Sequence, residues 1–78
     1  MDYPLEVGEY FAPPSPDNDD VISSGVWIVQ IRRAVGAKPG TVYDDRLADQ
    51  VRGWQESVGL PPTGEIAEED WAELFPDL

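Results

Sequence analysis

Apolar and polar positions alternate along this chain with helical spacing. Leu47, Val51, Trp54 and Val58 fall at i, i+4, i+7 and i+11, one stripe of an amphipathic helix. Asp44 or Asp45 can cap its start, since a short carboxylate accepts the unpaired N–H groups of a first turn. Gly59 stands where a left-handed residue ends a helix, and Pro61-Pro62 forbids continuation. An earlier stripe of Trp27, Ile28, Ile31, Ala34 and Val35 predicts a helix starting between Asp20 and Gly25 and ending at Gly36. Ser23-Ser24-Gly25 would also serve a later start. Val26 and Val29 lie off that stripe, so this helix is either central to a bundle or carries a second contact face. A third stripe of Trp71, Leu74 and Phe75, aligned with Ile66, predicts a helix over residues 67 to 75. Glu68, Glu69 and Asp70 occupy its electropositive first turn, and Pro76 closes it.

The connections read as loops. Lys38-Pro39-Gly40 is turn chemistry, Thr41, Val42 and Tyr43 suit a short extended piece, and Pro62-Thr63-Gly64-Glu65 suits a tight turn with glycine at positive φ. The expected fold class is all-α: three short helices on one core over residues 21–78. Val51, Trp54, Leu60, Ile66, Trp71 and Leu74 are the expected core.

Residues 1–20 break the pattern, with four prolines, six acids and no base. That composition predicts an extended arm. Tyr3, Leu5, Val7, Tyr10 and Phe11 are nevertheless too apolar for a solvating tail. The leading reading is that they dock on a partner subunit; the other is that they fold back on the chain's own core.

Sixteen acids against five bases give a formal charge of −11. That balance repels nucleic-acid backbones and anionic membranes, and no apolar run reaches the length of a membrane span. With no Cys and no His, there is no disulfide framework, no thiolate or imidazole metal site, and no imidazole to activate a serine. Asp17-Asn18-Asp19-Asp20 begins like a calcium loop, but the sixth position is Ile22 and the twelfth Ile28, where such loops need Gly and Glu. A turn is expected there. No cofactor, metal or catalytic residue is expected, and the chain reads as non-enzymatic.

From Tyr43 to Leu74 the residues resemble the peptidoglycan-binding domain family. That family shows an aromatic ahead of its second helix, then apolar-x-x-aromatic-Gln, Gly-Leu, a polar-Gly turn, an apolar residue and Trp-x-x-Leu. Here these are Tyr43, Val51-Arg52-Gly53-Trp54-Gln55, Gly59-Leu60, Thr63-Gly64-Glu65-Ile66 and Trp71-Ala72-Glu73-Leu74. Arg33 stands where the family's first helix carries a leucine, and Thr41-Val42-Tyr43-Asp44-Asp45 lacks the family's acid-Gly loop. The resemblance implies a three-helix module with a groove for glycan or stem peptide beside Tyr43, Arg46 and Gln55. Gln55 also suits a bond to backbone near the Thr63-Gly64 turn.

Two functions follow as expectations. The first is a structural or attachment subunit of a bacteriophage virion, a capsid decoration or tail-associated protein made in the host cytoplasm without a signal peptide. Its residues 1–20 would grip neighbouring subunits. The second is a cell-wall recognition module that holds muropeptide in the groove.

Overall fold

The computed structural model describes residues 2–76. Its elements are β1 (Tyr10–Phe11), β2 (Val21–Ile22), α1 (Val26–Val35), α2 (Asp45–Val58) and α3 (Glu68–Leu74). The three expected helices are present and the chain is mostly helical, though not all-α: β1 and β2 add a small sheet, paired in parallel with Tyr10 opposite Val21 and Phe11 opposite Ile22. Helical periodicity carries no signal for strands of two residues, because alternation needs four or more positions to be visible.

Backbone pairing extends this ribbon in both directions. Phe11 N–H donates to Ile66 O at 2.9 Å, and Ile66 N–H returns a bond to Phe11 O at 2.8 Å. Downstream, Gly25 N–H donates to Thr41 O at 2.9 Å and Tyr43 N–H to Ser23 O at 2.8 Å. Ser24 and Val42 thus form an antiparallel bridge, which realises the short extended piece expected at residues 41–43.

The first helix takes the later of its two starts, at Val26 after Gly25, and closes on Gly36 in the left-handed conformation. Asp44 is the cap of α2: its carboxylate accepts from Leu47 N–H at 2.8 Å, and Gly59 ends the helix at φ 82°. In α3 the cap is reversed. Ala67 has no side-chain acceptor, and Asp70 reaches back to accept the Ala67 N–H at 3.0 Å.

Trp71 is the hub of the core, 1% exposed. It stacks on Phe11 with ring centroids 5.7 Å apart and meets Trp27, Tyr3 and Phe75 at 5.8, 6.0 and 4.5 Å. Ile28, Ile31, Leu47, Val51 and Ile66 complete the interior, all fully buried. Trp54, Leu60 and Leu74 sit half-buried, and Val58 and Trp27 are each 39% exposed. The tryptophans therefore divide into one core residue and two at its edge.

Part of the segment expected as an arm (1–20) packs on the core of the expected domain (21–78). Phe11 is fully buried, and Tyr3 and Leu5 pack against the same core. The Tyr3 hydroxyl donates to Glu9 O. Asn18 holds the rest of the segment: Nδ2 donates to the Tyr10 hydroxyl at 2.7 Å, and Oδ1 accepts from Asp20 N–H at 2.9 Å. The Asp17–Asp20 run is a turn, and among the described residues no cluster of three or more Asp or Glu is placed to hold a metal.

Candidate functional site

Two polar constructions stand out: a buried clamp around Gln55 and an open groove beside the α1–α2 connection. In the clamp, the Gln55 side chain is fully buried. Its Oε1 accepts from Gly64 N–H at 2.9 Å. Its Nε2 donates to Glu65 O and Asp70 Oδ1, both at 2.9 Å, with Thr63 Oγ1 at 3.2 Å. Only this amide orientation matches donors with acceptors. From the other side the Tyr43 hydroxyl donates to Gly64 O at 2.6 Å. Gly64 has φ +79°, and a Cβ there would lie 3.0 Å from Arg52 Nε. The turn needs glycine for its left-handed backbone, while the exposed Arg52 guanidinium could yield to a Cβ by a small shift.

The groove forms where the connection from α1 to α2 turns past Pro39. Arg32 shapes it: Nε and Nη2 donate to Val42 O at 3.1 and 2.7 Å, and Nη1 donates to Lys38 O at 3.1 Å. Arg32 also pairs with Asp44 at 3.4 Å. The N–H bond from Leu47 and the Arg32 guanidinium hold the Asp44 carboxyl below its ordinary range. Around this frame lies a groove of about 490 Å³ lined by Arg32, Gly36, Lys38, Pro39, Asp44, Arg46 and Gln50. A smaller one of about 250 Å³ adjoins it, lined by Val29, Arg33, Gly36, Ala37 and Pro39. Both share Gly36 and Pro39.

The three residues expected to border one groove part company here. Arg46 lines the open groove and is exposed. Tyr43 and Gln55 are fully buried and line neither cavity. Burial, with Asp70 and Glu65 nearby, pushes the Tyr43 hydroxyl well above its usual range. Tyr43 is correspondingly a donor to backbone. The five arm side chains separate as well. Phe11 is interior, Tyr3, Leu5 and Tyr10 are half-buried, and Val7 alone stands fully in solvent.

Sequence reasoning missed Arg32, Arg33 and Lys38, although a signal was present. Residues 21–43 contain no acid and three of the five bases, in a chain of charge −11. Among the described residues, Arg33, Lys38 and Arg46 form no ion pair, while Arg52 pairs with Asp49. The lining holds cationic and hydrogen-bonding groups, and its one carboxylate is tied to Arg32 and Leu47. That donor set suits holding an anion. No family model, curated protein or solved structure matches the chain.

Proposed function

We propose that this chain is a non-catalytic attachment domain of the peptidoglycan-binding type, with the groove between Lys38 and Arg46 as its binding surface. The observation carrying this reading is the concentration of unpaired cations at one concavity of a strongly acidic molecule. Wall stem peptides bear free carboxylates, and three lining cations against one carboxylate leave this groove at net +2. The fixed Gln55–Gly64 turn supports the resemblance to that fold, since it brings the Trp54-Gln55 and Thr63-Gly64 motifs together. Titration of the labelled protein with soluble muropeptides tests the proposal. Amide shifts at Gly36, Gly40, Val42 and Asp44 that saturate in the millimolar range support it; unmoved amides in that region reject it.

A second reading places the domain in a virion, held to neighbouring subunits through its N-terminal segment. This reading assigns a contact to Val7, whose side chain is fully exposed on the turn beside Gly8. The Val7→Asp variant leaves the core untouched and should lose incorporation into particles. Normal incorporation removes this reading.

A further inference from the structure

The attachment of the N-terminal segment changes character at Tyr10. From there on the backbone is tied to remote residues: Tyr10 N–H donates to Asp20 O at 3.0 Å and Phe11 N–H to Ile66 O at 2.9 Å. Among the described residues, every hydrogen bond of residues 2–9 closes within that stretch. The Tyr3 hydroxyl donates to Glu9 O, Glu6 N–H to Glu9 Oε1 at 2.9 Å, and Glu9 N–H to Glu6 O at 3.0 Å. The last bond closes a turn with Val7 and Gly8 at its centre, both exposed. Gly8 has φ +91°, a left-handed value that glycine supplies in such turns. Residues 2–5 fold back on this hinge as a strap and are held to the rest of the molecule by side-chain packing.

The strap fills a socket. Phe11 and Trp71 stack with centroids 5.7 Å apart, and the Tyr3 ring stands edge-on to both, at 88° and 70°. Leu5 packs against the same cluster. The Glu9 carbonyl, fixed beside the anchored Tyr10, receives the hydroxyl. Two stacked rings and one backbone acceptor suit a phenol. The grip is weakened by charge: burial, then the carboxylates of Glu68, Glu9, Glu69 and Asp70, push the Tyr3 hydroxyl up to about 12. The strap itself carries Asp2 and Glu6, so an acidic segment closes onto an acidic rim.

We propose that this socket is shared between copies of the chain: with the Glu6–Glu9 turn opened, Tyr3 and Leu5 of one copy enter the Phe11–Trp71 socket of a second, whose strap returns to the first. The occupant follows from identity, since the second copy brings the same ring, hydroxyl and leucine spacing that the socket already takes. Residues 2–8, extended, reach about 23–25 Å. The molecule measures 32 × 25 × 23 Å, so an adjacent copy lies within range. Closure within one chain competes at an effective concentration on the order of millimolar. Free chains are therefore single when dilute, and exchange takes over where copies are crowded together. This deepens the second reading above, in which the N-terminal segment holds the domain to its neighbours, by naming the socket and its occupant.

The test removes the hinge. Deleting Val7 and Gly8 from the full chain takes out the centre of the turn, so that Tyr3 no longer folds back on its own socket. Sedimentation should show the deleted chain dimeric at a concentration at least about tenfold below that needed by the wild type, which dimerises in roughly the millimolar range. Adding Tyr3→Ala to the deletion should return it to a monomer. Raised salt should tighten the dimer by screening two chains of charge −11. A second measurement needs no variant and decides if the deleted chain does not fold. A millimolar-range mixture of isotope-labelled and unlabelled wild-type chains should give filtered nuclear Overhauser contacts between Tyr3 of one chain and Trp71 of another. A deleted chain that folds and stays monomeric at such concentrations, a dimer indifferent to Tyr3→Ala, or a wild-type mixture without those contacts overturns the proposal. If exchange fails while Val7→Asp still loses incorporation into particles, the segment grips a different subunit and the second reading survives. If Val7→Asp is also incorporated normally, both fall.

Discussion

Replacing Gln55 with leucine keeps most of the side-chain volume and removes both polar atoms that Gln55 brings to the clamp. The Gly64 N–H, whose partner is Gln55 Oε1, is left buried without an acceptor, a loss of about 1–3 kcal/mol. Asp70, only 6% exposed, keeps the Ala67 N–H but loses its second donor, and a bond to a charged group contributes about 1.5–3 kcal/mol. Together these approach the roughly 3–5 kcal/mol that a core of this size supplies. Gln55→Leu should therefore be largely unfolded at 25 °C without a stabilising osmolyte. Urea melts followed by tryptophan fluorescence, with trimethylamine N-oxide added to restore a folded baseline, give the difference. Asp70→Asn combined with Gln55→Leu should be less destabilising than the sum of the single changes, with coupling of about 1 kcal/mol or more. A loss below about 1 kcal/mol for Gln55→Leu would refute the clamp as a main support of the fold.

The remaining predictions concern the hub, the turn and pH. Phe11→Ala removes the ring stacked on Trp71 and should cost about 3–5 kcal/mol; a truncation lacking residues 2–11 should lose cooperative unfolding, and a sharp unaltered melt would contradict the packing. Gly64→Ala should destabilise by about 1–2 kcal/mol through its left-handed φ, read as a lowered urea midpoint. Stability should hold up to about pH 9–10 and then fall. The folded-state pKa of buried Tyr43 is raised above its model-peptide value of 10.0, so the folded chain binds that proton more tightly and loses stability as it leaves, by up to about 1.4 kcal/mol per pH unit. Half-buried Tyr3, pushed up to about 12, adds a smaller, solvent-screened part in the same direction. Tyr43→Phe should flatten the slope, and an unchanged slope would show that Tyr43 does not carry it.

Helix positions were legible in the sequence because each had an apolar face and a breaker, and α2 a capping carboxylate as well. Asp44, Gly59 and the Leu47–Val51 stripe fall where local rules put them. The N-terminal segment was not legible, because its order comes from contacts remote in sequence. Phe11 pairs with Ile66 and stacks on Trp71, and neither partner can be named from residues 1–20. Tyr43 misled for a related reason. An aromatic before a helix suits surface or core equally, and only the Gly64 carbonyl on the far side decides. Gln55 was placed near the Thr63-Gly64 turn from the motif, but its bond to Asp70 required two helices to be seen together. Arg32, Arg33 and Lys38 were overlooked because charge was summed over the chain, whereas its local sign reverses between residues 21 and 43.

Co-sedimentation with purified insoluble peptidoglycan tests most directly whether the cationic groove makes this domain an attachment device. The wild-type chain should pellet with the wall at low salt. The Lys38→Glu, Arg46→Glu double variant, checked for an unchanged melt, should remain in the supernatant. Equal pelleting of the two, or no pelleting of the wild type, would contradict the account.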